Sequence, residues 1–217
     1  MDLECLKPKY DALQKKYGAK HLRSIYFGGC EKTPKICFVF MNPTGRNIAS
    51  LSEWKGIRAP WIGTKNIWDL FYALGLLDEE IFFSIKSKKG SEWTEEFAKL
   101  VYEDVSRHDY FITNLGKCTQ IDARSLPNSV FLEYLSLLEK EFEIIKPNVI
   151  ILFGNQVSSL VLNEKISVSK VRRTCFMKEI RGTVYRFYSV YYPVGNGRFH
   201  IQDAISDIEW IMREEHL

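Results

Sequence analysis

No apolar stretch in the 217 residues reaches the roughly 20 that a helix needs to cross a bilayer, and the opening MDLECLKPKYDALQKKYG carries charges throughout. The expected location is therefore the cytoplasm, with no role in a membrane. Cysteine is sparse: Cys5, Cys30, Cys37, Cys118 and Cys175 are odd in number and scattered, which suits a reducing compartment better than a disulfide framework. No Cys-x-x-Cys pair occurs, so a zinc ribbon has no support. Glycine-rich phosphate fingerprints are also missing, because Gly28-Gly29 precedes an apolar run instead of following one. That absence counts against a nucleotide hydrolase or transferase. Internal repeats, low-complexity tracts and linkers are absent too, so one domain over residues 1–217 is expected. A net charge of +3 is too small to indicate a nucleic-acid partner by itself.

What is present is a core-forming composition, 46% hydrophobic and 14% aromatic, which is too rich for a disordered chain. Three short apolar runs, Ile36 to Met41, Tyr110 to Leu115 and Val149 to Phe153, read as strands buried on both faces. Helical patterns lie between them at Ile67 to Leu76, Glu92 to Val105 and Val130 to Ile145, with another expected over Gly154 to Leu162. Thr174 to Tyr192 reads as a hairpin turning at Arg181-Gly182, and Ile201, Ala204, Ile205, Ile208 and Ile211 give a closing helix its apolar face over His200 to Glu215. This alternation predicts a three-layer α/β/α sandwich around a mainly parallel sheet.

In such folds ligands bind beyond the carboxyl ends of the strands. The exits there read MNPTGRN (41–47), NLGKCTQ (114–120), FGNQ (153–156) and YYPVGNGR (191–198). Amides, proline and glycine concentrate in these segments. Between Glu164 and Phe187, Lys165, Lys170, Arg172, Arg173, Lys178, Arg181 and Arg186 outnumber two glutamates and form a patch able to track phosphates.

These residues resemble the uracil-DNA glycosylase superfamily. VFMNPTGRN is similar to the first motif of the mismatch-specific and single-strand-selective types; RAPWIGTKNIWDLF (58–71), YFITNLGKC (110–118) and IIKPNVIILFGNQVSSLVL (144–162) resemble successive segments of the thermophile type. YYPVGNGRFHIQDAISDIEWI stands where the family has its second motif and last helix, and the matches run in family order over residues 25 to 212. The resemblance implies a cofactor-free, metal-free enzyme that hydrolyses the N-glycosidic bond of a flipped deaminated base, uracil foremost, in DNA, and a monomer is expected.

By the same resemblance, Asn42 holds the attacking water, Asn114 reads the base, Trp61 stacks on it, and Gly63 lets the backbone approach. Asn42 and Tyr192 are then the catalytic candidates. Arg198, Asn196 and Lys117 are expected on DNA, with Asn47 and Ser129 as further phosphate candidates and Arg198 or Phe199 as the wedge that fills the gap left by the flipped base. Each assignment has a plainer alternative: Asn42-Pro43 as a strand-ending turn, Asn114 as a cap, Trp61 as a core residue, Gly45 and Gly63 as turn glycines, Arg198 as an exposed turn residue.

The chain also departs from the family. Tyr192-Pro193 stands where a His-Pro pair is usual, and His200 is the nearest imidazole. Cys118 matches one ligand position of the thermophile type's iron-sulfur cluster, but no set of four follows the pattern, so no cluster is expected. No lysine is placed to attack the sugar, so strand-nicking lyase chemistry is not expected. A catalytically silent nucleic-acid-binding relative is the rival reading, favoured by Tyr192; a small-molecule nucleotide enzyme is the third.

Overall fold

Alternate residues of each apolar run face opposite sides of one sheet, and both sides are covered. In the computed structural model, which describes residues 2–123 and 126–217 and only the backbone of Asn196, the runs form β2 (Ile36–Phe40), β3 (Tyr110–Asn114) and β4 (Val149–Phe153). With β1 (Phe27–Gly29), β5 (Cys175–Ile180) and β6 (Thr183–Val190) they make a six-stranded sheet in the order β1-β3-β2-β4-β6-β5. The four central strands are parallel, and only the edge strands β1 and β5 run antiparallel.

One core takes Phe38, Phe40, Tyr110, Ile112, Ile151 and Phe153 from the sheet. They pack under α2 (Trp68–Ala73), α3 (Glu79–Ser87), α4 (Glu95–Arg107) and α8 (Ile201–Glu214). The opposite core takes Cys37, Val39, Phe111, Ile150 and Leu152 against α1 (Lys7–Tyr17), α5 (Asn128–Ile145) and α6 (Asn155–Leu162). Strict period-two alternation in fully buried strands thus produces the three layers. A side chain such as Phe38, wholly removed from solvent, contributes about 1.5–3 kcal/mol of apolar transfer.

Local chemistry sets the element ends. The Thr94 hydroxyl accepts from the Phe97 N–H and caps α4, while α5 stops at Lys146, which takes a left-handed φ of 51° immediately before Pro147. The hairpin turn matches its sequence signal, with φ of 52° at Arg181 and 83° at Gly182, the pair of positive values a tight hairpin needs. One expectation changes. Residues 67–76 hold only the six-residue α2, because the chain turns at Gly75 (φ 69°) and restarts as α3, whose buried Ile81, Phe82 and Ile85 form a second helical face. Gly28 and Gly29, which precede the apolar run of β2, lie in β1. The segment Val168–Val171 adds one helical turn, α7. Among the described residues no helix is long and apolar enough to cross a membrane.

Candidate functional site

The parallel register brings Phe40 level with Asn114, and Phe153 level with Val190, so the four strand exits open at one end of the sheet. Beyond β2 and β3 the pairing continues through the loops: Leu115 N donates to Phe40 O (2.7 Å), Gly116 N to Met41 O (2.8 Å), Gln120 N to Pro43 O (3.1 Å) and Gly45 N to Gln120 O (2.7 Å). This zipper holds residues 41–45 beside residues 114–120. The space it borders is a cleft of ≈ 1140 Å³ lined by Asn42, Trp61, Gly63, Asn114, Phe153 and Tyr192, among others.

Asn42 and Asn114 are 8% and 2% exposed. The Asn42 amide nitrogen donates to Pro43 O (3.1 Å), which assigns the other terminal atom as oxygen; that Oδ1 is buried and has no partner among the described residues. The Asn114 Nδ2 is likewise buried and unpartnered. Leaving such a group unpaired costs on the order of 1–3 kcal/mol, so two of them at adjoining strand exits of one cleft point to a ligand or water that completes them.

Trp61 adopts φ 68°, a left-handed conformation that costs a bulky residue energy, and the turn holding it is closed by Thr64, whose N–H (3.1 Å) and Oγ1 (2.7 Å) both donate to Trp61 O. Its ring meets Phe40 edge-on at 4.9 Å, and Phe40 in turn stacks on Phe153 at 4.3 Å. Gly63, at φ 81°, has no room for a side chain: a Cβ would stand 2.9 Å from Ile48 Cγ2. Tyr192 packs edge-on to Phe40 from the other side (6.0 Å), and burial pushes its hydroxyl pKa well above the ordinary tyrosine value. It is therefore a neutral donor at physiological pH. Gly197 keeps the second-motif loop folded against it, since a Cβ there would fall 1.9 Å from Tyr192 O.

Several sequence expectations are corrected. Lys117 is not at the surface: it is 0% exposed, and its ammonium donates to Thr113 Oγ1 (2.5 Å) and Asn114 O (2.5 Å) and pairs with Glu141 Oε1 (2.9 Å). All three donors are used inside the core, so none reaches a phosphate. Asn47 lines the cleft, but its amide is committed to Ala59 O (2.9 Å) and to the Ala49 N–H (3.0 Å). The basic stretch is largely neutralised: Arg172 and Arg173 both pair with the buried Asp207 (2.8 and 3.0 Å), Lys178 with Glu139 (3.7 Å), Arg181 with Glu143 (3.6 Å), and Arg186 with Glu215. Its hairpin tip also lies at the start of β6, the end of the sheet away from the cleft. His200 stacks on Tyr191 (4.2 Å) with Nδ1 at 3.1 Å from Asp203 Oδ2, and it does not line the cleft.

Arg198 lies beside the cleft, in an adjoining cavity of ≈ 290 Å³ that it shares with Arg46. Arg46 went unnoticed in the sequence although it sits inside the MNPTGRN exit. The Asn196 side chain is outside the described residues, and Ser129 is exposed at the start of α5. The described carboxylates and imidazole that approach one another closely enough to hold a metal are Asp78, Asp104 and His108. Arg107 already donates to Asp78 (3.0 Å) and to Asp104, and the group sits near the start of β3, remote from the cleft.

The family model described as Uracil DNA glycosylase superfamily matches residues 27–203, a span that includes every residue named above as lining the cleft. No curated protein matches the chain.

Proposed function

The chain belongs to the uracil-DNA glycosylase superfamily, and from that membership we propose that it hydrolyses the N-glycosidic bond of a deaminated base, uracil foremost, flipped out of DNA into the cleft. The observation that carries this reading is the pair of buried polar atoms, Asn42 Oδ1 just beyond β2 and Asn114 Nδ2 at the end of β3, that have no partner among the described residues and stand where the zipper joins the two strand exits.

Their chemistry suits the two halves of the reaction. As the glycosidic bond breaks, electrons pass to the base and positive charge to the sugar, so an N–H aimed at the base stabilises the departing anion. Asn114 Nδ2 supplies one such donor and the neutral Tyr192 hydroxyl a second. Asn42 Oδ1 accepts a hydrogen bond from the water that adds to the sugar carbon. An amide does not take up the proton as a carboxylate does, so the water attacks a sugar already cationic and releases its proton to solvent. Trp61 and Phe153 supply the aromatic surface on which the base rests. Phe199, 78% exposed on the second-motif loop, fits the wedge that replaces the base in the stack. Lyase chemistry is not part of the proposal: Lys117 is locked in the core, and Lys65, which lines the cleft, donates to Lys86 O.

One feature favours the silent relative as second reading. Tyr192 stands where an imidazole would be expected, and its phenol is a weaker donor to an anion than a protonated ring. Incubating labelled single- and double-stranded oligonucleotides carrying uracil, hypoxanthine or xanthine, followed by alkali, separates the two. Alkali-labile product supports the enzyme; tight binding with no product at high enzyme concentration supports the silent relative.

A further inference from the structure

Lys117 is wholly buried and does not line the base cleft, yet its ammonium donates to the main-chain carbonyl of Asn114, a residue that does line it (2.5 Å). At the other end of the same peptide unit, Leu115 N donates to Phe40 O at 2.7 Å. The peptide joining Asn114 to Leu115 is therefore held at both its oxygen and its nitrogen. Pairing of β3 with β2 fixes the backbone up to Asn114. A planar peptide held at both ends then fixes ψ of that residue, and with it the direction in which the side chain leaves the backbone. The lysine is held as firmly as the carbonyl it grips. Thr113 Oγ1 accepts from it at 2.5 Å, and Glu141 on α5 pairs with it at 2.9 Å. Glu141 is steadied in turn by Tyr10 OH on α1 (2.8 Å) and by Thr113 Oγ1 (2.7 Å). The network thus runs from two helices, through a buried ion pair, to one carbonyl at the edge of the cleft.

A buried ion pair often stabilises a fold no better than well-packed apolar residues of the same volume, so stability alone does not account for one at this place. What it adds is direction: a charged donor makes a short, strong hydrogen bond, and in a water-free interior nothing replaces it. The group whose aim depends on that bond is Asn114 Nδ2, which has no partner among the described residues and is left to meet the base. We propose that Lys117, held by Glu141 and Thr113, is a positioning residue, which sets the aim of Asn114 Nδ2 at the departing base without touching substrate. The inference rests on the base-binding reading of the cleft and extends its machinery to a residue outside the cleft. Displacing a reacting group by about 1 Å costs up to about 10²-fold in rate. Loss of the tie should therefore appear in the chemical step and not in the affinity for DNA.

Lys117→Met combined with Glu141→Gln removes the tie without leaving a lone buried charge. Single-turnover cleavage of a uracil-containing oligonucleotide by this paired variant should fall by up to about 10²-fold, with DNA affinity unchanged. In an Asn114→Ala background the same two changes should have no further effect, because Lys117 acts through that side chain. Ile145→Ala, a fully buried position at the end of α5 beside the start of β2, costs stability by opening a cavity and should leave the rate at the wild-type value. Thr113→Val takes away one anchor of the ammonium and keeps both charges. It should slow cleavage less, again with no effect once Asn114 is alanine, and it decides the matter if the paired variant does not fold. The Asn114 side-chain amide signals in a nitrogen–proton correlation spectrum, identified by their loss in Asn114→Ala, report the aim without substrate; the paired variant should shift and broaden them, and Ile145→Ala should not. A wild-type rate in the paired variant, or a loss that persists in the Asn114→Ala background, would overturn the positioning role and leave the glycosylase reading intact. No cleavage by the wild type, with the amide signals displaced in the paired variant, would keep the role and overturn the glycosylase reading. No cleavage with unmoved amide signals would overturn both.

Discussion

Replacing Lys117 by methionine is expected to be among the most damaging single changes in the molecule, although the residue reads in sequence as a surface cation. Its ammonium is 0% exposed and fills all three donors on Thr113 Oγ1, Asn114 O and Glu141, while Glu141, also 0% exposed, accepts from Tyr10 OH (2.8 Å) and Thr113 Oγ1 (2.7 Å) as well. Methionine has a similar volume and creates no large void, so the loss is electrostatic: Glu141 is left as a buried charge without its counter-ion. Breaking one side of such a pair costs about 3–5 kcal/mol. At about 2–4 °C per kcal/mol for a chain of this size, the melting temperature should fall by about 6–20 °C. Burial also holds the Lys117 pKa below the ordinary lysine value in spite of Glu141, so the attraction between the two does not fully offset the desolvation of the lysine. Removing both charges, in Lys117→Met with Glu141→Gln, should therefore recover most of the loss, because glutamine still accepts from Tyr10. Urea denaturation of the wild type, both single variants and the double variant gives the coupling energy. A Lys117→Met loss below about 1 kcal/mol, well under the range for a broken buried pair, or a double variant no more stable than Lys117→Met alone, would refute the buried network.

Other perturbations reach the site itself. Asn114→Asp swaps the unpartnered donor for a carboxylate facing the departing anion, and should lower single-turnover cleavage by at least the roughly 10²–10³-fold that loss of one such donor costs; because Asn114 is 2% exposed, the uncompensated charge should also lower the melting temperature. Gly197→Ala should disrupt the second-motif loop, since its Cβ would stand 1.9 Å from Tyr192 O; activity should fall while the urea midpoint of the core barely moves. The hydrogen bond from His200, and then the Arg172 charge, hold the Asp203 carboxyl below the usual carboxylate range. A lowered folded-state pKa stabilises at pH values above the unfolded pKa of about 3.9 and is lost as pH falls through the folded value. Asp203→Asn should thus melt earlier than the wild type at pH 7, and the difference should close on acidification toward about pH 3.

The legible parts of the fold were those with dense local signal. Ile36–Phe40, Tyr110–Asn114 and Val149–Phe153 announce themselves as strands because both faces are buried, and the amide-rich exits follow from a parallel sheet. β1 escaped notice because three residues with two glycines carry no strand pattern, and α1 because only Tyr10 and Gln14 along it are buried. Charge pairing was the least legible feature. Lys117 finds Glu141 on α5, and Arg172 and Arg173 find Asp207 on α8, so the acids that cancel these cations stand far along the chain. Arg46 was overlooked for the converse reason: it looks like any loop arginine until the fold sets it beside Arg198 with no acid to match it.

The most direct test of the central claim is single-turnover release of free base from a uracil-containing oligonucleotide, followed by mass spectrometry, with Asn42→Ala alongside the wild type. Asn42 Oδ1 is the buried acceptor assigned to the attacking water. The account predicts free uracil and an intact abasic strand from the wild type, and a large loss of both in Asn42→Ala at unchanged stability. Equal release by the two proteins would contradict the role of Asn42; no release by the wild type from uracil, hypoxanthine or xanthine substrates would contradict the glycosylase reading.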